Sequence, residues 1–221
     1  MEYVTVGEFA VRDSAEQIAK AIANGRRLEV LEVLTQGERS VDSVARDVSS
    51  SVSTVSAQLQ VLRRAGLVRT RRAGTTIFYR AAGPEVARLL VVLNSLARNR
   101  VAEQIAASVA DAPRPATPGT VPIIDAASVT SEMLVVDVRS RLEYDAAHFP
   151  GAISIPWDEL PQRWSEIPGD QYVVVYCRSG WCETAQEGAH YLREQGLEAA
   201  SMGEGVVEWI AEQAVDLDAA R

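Results

Sequence analysis

The chain has 221 residues, 47% hydrophobic and 24% charged, which excludes a disordered or low-complexity chain and leaves room for one domain or two. No apolar run approaches membrane-spanning length, and Met1-Glu2-Tyr3-Val4-Thr5 offers neither a basic region nor an apolar signal core, so no membrane partner is expected and a cytoplasmic location is. The net charge of −8 conceals a division: residues 1–110 carry 15 Lys and Arg against 11 Asp and Glu, a balance of +4, whereas residues 111–221 carry 7 against 19, a balance of −12.

Residues 14–23 place Ala15, Ile18, Ala19 and Ile22 at i, i+3, i+4, i+7 spacing, which predicts a helix broken by Asn24-Gly25. A second helix runs through Leu28, Leu31 and Leu34 and stops at Gly37. Ser40 is an N-cap for a third, which sets Val41, Val44, Ala45 and Val48 on one face. Ser49-Ser50-Ser51 is a turn that supplies the next cap, and Val52, Val55, Leu59 and Leu62 form the apolar face of a fourth helix ending near Gly66. Its opposite face carries Ser53, Thr54, Ala57, Gln60 and Arg64, flanked by Ser56 and Gln58. Such a face suits a DNA major groove, where Gln reads adenine and Ser or Thr bonds bases or phosphates, although an ordinary solvated face has the same composition. Leu67–Arg72 and Thr75–Arg80 then read as two strands around an Ala73-Gly74 turn, in an interval from Asp47 to Glu85 with no acidic residue inside it. Helices followed by a hairpin tipped with Arg71 and Arg72 form a winged helix-turn-helix, its wing placed to meet phosphates or the minor groove.

From about residue 14 to 105 the chain resembles the ArsR/SmtB family of bacterial winged-helix regulators. The carrying residues are Arg26-Arg27-Leu28 with Val30-Leu31 and Leu34, the stretch Val55 to Val68, and the wing ending Phe78-Tyr79-Arg80. The resemblance implies contacts to double-stranded DNA through Ser53, Thr54, Ser56, Gln58, Arg64, Arg71 and Arg72, with Gln58 where the family often has His. It also implies repression. The family's metal sensors use Cys or His near the recognition helix or on the last helix. The first 110 residues contain neither, so a thiolate or imidazole metal site there is excluded by residue type. Residues 84–110 read as a long helix carrying Val86, Leu89, Leu90, Leu93, Leu96, Val101, Ile105 and Val109. It is too apolar for one small domain, and the resemblance implies a homodimer through it, hence a palindromic operator. The alternative is packing within its own domain or against the second.

Residues 111–122 hold four prolines, Pro113, Pro115, Pro118 and Pro122, and read as an extended linker. Beyond it, strands are expected at 134–138, 152–155, 172–176 and, more weakly, 199–201, with helices between and after them. That is a small α/β domain with a mainly parallel sheet, whose ligands bind at the carboxyl ends of the strands. The expected architecture is thus two domains: a mainly α winged helix-turn-helix at 1–110, the linker at 111–122, and an α/β domain at 123–221.

Both cysteines lie in the six residues Cys177-Arg178-Ser179-Gly180-Trp181-Cys182, between the strand Tyr172–Tyr176 and a helix over Glu183–Glu194. A cysteine between a buried strand and a helix N-terminus meets outward-pointing N–H groups, which favours thiolate at Cys177, and Arg178 adds a positive charge. A metal site from Cys177, Cys182 and His190 fits no common zinc spacing, and no cofactor is expected. Glu183, six residues after Cys177, stands where an oxyanion-binding arginine would be needed for phosphatase-like chemistry.

This half resembles the rhodanese domain. The matching residues are Val136-Asp137-Val138-Arg139, Glu143-Tyr144, His148 to Ile153, Val175 to Gly180, and Gly205-Val206-Val207-Glu208-Trp209. The resemblance implies that Cys177 accepts a sulfane sulfur as a persulfide from a small donor such as thiosulfate or polysulfide, with Ser179, Gly180 and Trp181 lining the cradle. Cys182 stands where many rhodaneses have Arg. Fusions of ArsR-like and rhodanese halves often carry a Cys-Arg-x-x-aromatic-Cys loop, and this implies that Cys182 is a resolving thiol. The expected function is a DNA-binding regulator that senses or carries reactive sulfur or oxidant through Cys177 and Cys182. The alternatives are a sulfurtransferase acting through Cys177 with an attached DNA-binding domain, and a regulator whose second half is an inert docking module.

Overall fold

The computed structural model describes residues 5–108 and 121–219. By compactness the chain divides into residues 1–87 and 88–221. The expected linker falls largely at 109–120, outside the described residues, as does the end of the expected 84–110 helix.

The first unit is built from α1 (Thr5–Ile22), α2 (Gly25–Thr35), β1 (Arg39–Ser40), α3 (Val41–Asp47), α4 (Val52–Arg64), β2 (Val68–Ala73), β3 (Thr76–Ala81) and the start of α5 (Pro84–Ser108). Helix α1 begins nine residues earlier than the apolar stripe predicts. Helices α2, α3 and α4 each start on a side-chain cap: Asn24 accepts Arg27 N–H, Ser40 accepts Ser43 N–H and Ser51 accepts Thr54 N–H. Val30, Leu31, Val33 and Leu34 from α2, Val44 from α3, and Val55, Leu59 and Leu62 from α4 pack into one core. Strand β3 pairs antiparallel with β2 on one side and with the two-residue β1 on the other. Gly74 turns the hairpin at φ 58°, a left-handed conformation that a side chain would strain. In β2 only Val68 is buried, so Arg69 to Ala73 stand clear of the core as a wing.

The second unit holds a five-stranded, wholly parallel sheet in the order β4 (Ile123–Ile124), β8 (Ala199–Met202), β7 (Tyr172–Tyr176), β5 (Met133–Asp137), β6 (Ile153–Ser154). Between the strands run α6 (Arg141–Ala146), α7 (Leu160–Arg163) and α8 (Thr184–Glu194), and α9 (Val206–Glu212) follows β8. The strand β4 was not predicted; its residues and Pro122, whose carbonyl accepts Ser201 N–H, form the sheet edge, so the expected linker ends short of Pro122. The central β7 is apolar on both faces because both are covered. Val173 and Val175 pack with Val136, Ile155, Ala185, Ala189 and Leu192 on the α8 side. Val174 and Tyr176 pack with Val135, Met202, Val206 and Trp209 on the α9 side. The cysteine loop therefore leaves the central strand β7 at its carboxyl end, where the topology predicts a site.

Candidate functional site

Cys177 follows β7 directly and is buried, whereas Cys182 is half-buried at the entry to α8; both are free thiols. The two sulfurs share a hydrogen bond, and that bond, together with burial, pushes the Cys177 thiol well up. The same bond lowers Cys182 to about 6, aided by hydrogen bonds from the Thr184 hydroxyl and N–H and by the charge of Arg178. Within the pair Cys182 is thus the more acidic sulfur, whereas the position of the loop predicts thiolate at Cys177. The reason is local: α8 begins at Thr184, so its free N–H groups face the second cysteine rather than the first.

Arg178 does not extend freely towards the sulfurs. Its guanidinium pairs with the fully buried Glu143, donating through Nε to Oε1 and through Nη2 to Oε2, the latter at 3.2 Å. Glu143 sits in the first turn of α6, where Oε2 also accepts Ser140 N–H at 3.1 Å and Oγ–H at 2.7 Å. Burial disfavours its charged form, yet the arginines Arg178 and Arg139 hold its carboxyl below the ordinary range. Beside it, buried Asp137 accepts Arg139 Nη2 at 2.6 Å and the Tyr176 hydroxyl at 2.6 Å, while that hydroxyl accepts Phe149 N–H at 3.0 Å. His148 Nδ1–H donates to Tyr144 O at 2.8 Å, and its ring stacks on that of Tyr144.

The cradle is tied to α9. Val207 N–H donates to Arg178 O at 2.9 Å, and Gly180 N–H donates to Glu208 Oε1 at 3.0 Å. Glu208 Oε2 accepts Gly205 N–H at 2.9 Å. A Cβ on Gly205 would lie 2.6 Å from Cys177 O, and one on Gly180 would lie 2.1 Å from Gly203 O. Of the three predicted cradle residues, Gly180 thus already spends its N–H on a carboxylate. Ser179 is buried with its Oγ unpartnered, and Trp181 is half-buried at the rim. Glu143 and Glu208 were missed as site residues. Both lay within motifs read from the sequence, but their partners lie 35 and 28 residues away.

In the first unit, Ser53, Thr54 and Arg64 lie exposed on α4. The Ser51 hydroxyl joins those of Ser53 (3.0 Å) and Thr54 (2.8 Å) at the helix start. Ser56 and Gln58 are half-buried, and Gln58 Oε1 accepts Arg27 Nη1 at 3.4 Å. Arg72 stays exposed at the wing tip. Arg71 instead donates Nε to both carboxylate oxygens of Glu38, at 3.0 and 3.1 Å, and lies 5.1 Å from the Phe78 ring centroid.

Two family models match the chain: "Bacterial regulatory protein, arsR family" over residues 24–70 and "Rhodanese-like domain" over residues 123–212. The HTH-type transcriptional regulator Rv0324 of Mycobacterium tuberculosis is 38% identical over 200 residues, covering 90% of this chain and 88% of that one. The chain belongs to the ArsR family of transcriptional regulators, in the form that carries a C-terminal rhodanese domain. The rhodanese domain is similar to a sulfurtransferase of Allochromatium vinosum, 36% identical over 81 residues, 36% of this chain and 74% of that one. The regulator half is similar to the homodimeric winged helix-turn-helix DNA-binding domain Mb0332 of Mycobacterium bovis, with 42% identity, 44% of this chain, 91% of that chain and a TM-score of 0.41. Among the described residues no helix is long and apolar enough to cross a membrane.

Proposed function

We propose that this ArsR-family regulator is a repressor whose occupancy of DNA is set by sulfur or oxidant chemistry at Cys177 and Cys182. The observation that carries the reading is the hydrogen-bonded thiol pair, with one sulfur at a pKa of about 6, inside a regulator. As Cys177 attacks a donor sulfur, its proton passes to the Cys182 thiolate. Cys182, on losing that proton again, attacks the persulfide at the Cys177 sulfur and expels hydrosulfide, leaving a disulfide. From a trisulfide-type adduct the same thiolate attacks the bridging sulfur, expels the carrier thiolate and leaves a sulfur-bridged pair. Neither closure needs a further oxidant.

Residues 1–110 then serve DNA binding and dimerisation, with Ser53, Thr54, Ser56, Gln58, Arg64, Arg71 and Arg72 on the DNA side, and 123–221 carry the sulfur site. Homodimerisation along α5 is supported by its exposed Val92, Leu96 and Val101, and a two-fold dimer reads a palindrome. Mobility-shift titration of the chain's own promoter, with and without a polysulfide donor, tests this. Release in wild type and retention in Cys177→Ser and Cys182→Ser is the expected pattern; equal release in all three defeats it. The likeness to a sulfurtransferase favours a second reading, in which Cys177 turns over as an enzyme. Steady-state transfer of sulfur from thiosulfate to cyanide, lost in Cys177→Ser, would support that one.

A further inference from the structure

Two groups that an anionic donor would use at this loop are already held by carboxylates. A persulfide-forming loop captures an anion with backbone N–H groups and a cation. Here the guanidinium that bears on both sulfurs belongs to Arg178, and it is neutralised by buried Glu143. The N–H of Gly180, in the middle of the loop, is held by Glu208. Among the described residues Glu208 has no ion-pair partner, and burial works against its charge. Glu183 adds a further exposed carboxylate one residue past Cys182. Gly180 and Gly205 pack the loop against residues 203–208 at distances that admit no Cβ, which keeps it beside Glu208 in this structure.

Building on the reading of this loop as a sulfur acceptor, we propose that Glu208 determines its donor class: the fixed carboxylate at Gly180 N–H excludes dianionic thiosulfate and admits uncharged sulfane-sulfur donors such as organic polysulfanes. The chemistry is the same for both donors. With thiosulfate, the Cys177 sulfur bonds the outer sulfur, the S–S bond breaks and sulfite leaves with the electron pair. With a dialkyl trisulfide, it bonds the central sulfur and an alkanethiolate leaves with the pair. In each case the Cys177 proton moves to Cys182. The two reactions differ in the charge brought beside Glu208: two negative charges in the first and none in the second.

The test loads the reduced full-length protein with thiosulfate or with dimethyl trisulfide and follows the mass of the Cys177–Cys182 peptide. Each rate is divided by that of free cysteine with the same donor. In wild type the normalised rate with trisulfide exceeds that with thiosulfate by about tenfold or more, the size of effect a like charge in a partly dry site produces. Glu208→Gln, which keeps an oxygen for Gly180 N–H but removes the charge, closes most of that gap; Glu208→Asp, which keeps the charge, leaves a gap. A measurement on wild type alone stands even if a variant fails to fold: thiosulfate loading accelerates as salt screens the repulsion, and trisulfide loading does not. A normalised rate ratio near one, or a gap unchanged in folded Glu208→Gln, overturns the role of Glu208, as does thiosulfate loading that ignores salt. If neither donor marks Cys177 or Cys182, the sulfur reading itself fails.

Discussion

A free cysteine titrates near pH 8.5, so at neutral pH only a few per cent of it is thiolate. The Cys177–Cys182 pair departs from this by sharing one proton between two unlike sites, a dry one behind β7 and a half-buried one beneath the first N–H groups of α8. Iodoacetamide at pH 7 is therefore expected to label Cys182 first, with a rate that falls by half near pH 6, where that sulfur takes a proton. Peptide mapping by mass spectrometry reads the order, and prior labelling of Cys177 would reverse the assignment. Glu143 bears a different load. Its carboxylate balances Arg178 and caps α6, so Glu143→Ala strands a largely buried guanidinium and should cost about 3–5 kcal/mol, read by urea denaturation. The sequence shows a cysteine loop flanked by strand and helix, but not which cysteine the helix start faces. That depends on whether α8 begins at Glu183 or Thr184, a one-residue matter that periodicity does not resolve. Nor does it show that Arg178 is neutralised, because the acid that does so is 35 residues upstream.

Helices and strands of ordinary length were legible wherever they were half-buried. The apolar faces of α2, α3 and α4 and the run of β7 gave their positions, and Ser40 and Ser51 gave two starts. The two-residue strands β1 and β4 were not legible, since two residues carry no alternation and their pairing is with distant β3 and β8. The early start of α1 was missed because Thr5–Asp13 has no apolar stripe; Phe9 and Val11 are both exposed. The winged unit gives three expectations. Ser51→Ala removes the α4 cap and should cost about 1 kcal/mol of stability, measured by thermal unfolding. On the wing, Arg72→Ala should weaken binding to all sequences alike and lower the slope of log K against log salt by about one. Glu38→Gln should do the opposite, raising affinity for DNA of any sequence, because it releases Arg71 from its carboxylate and removes a negative charge. Fluorescence anisotropy across a salt series measures both.

For the whole molecule, composition already separates the parts: a balance of +4 over residues 1–110 and −12 over residues 111–221. Val92, Leu96 and Val101 stand exposed along α5, where the proposed dimer would close. Leu96→Glu is expected to shift sedimentation from dimer to monomer, and to weaken operator binding about tenfold or more, as two linked half-site contacts become independent. A variant that stays dimeric would place the two-fold interface elsewhere.

The interlocking of the loop with residues 203–208 also has an optical consequence. Val207 N–H is bonded to Arg178 O, and Trp209, two residues on, lies 5.1 Å from the Tyr176 ring and 5.3 Å from that of Phe149, fully shielded from water. On the proposed function, reshaping of the loop by sulfur uptake would pull on the backbone that holds this indole. The protein thus contains its own emission probe. With the other three tryptophans replaced by phenylalanine, the intensity of Trp209 should change as Cys177 and Cys182 join, giving a stopped-flow signal for the switch in the absence of DNA.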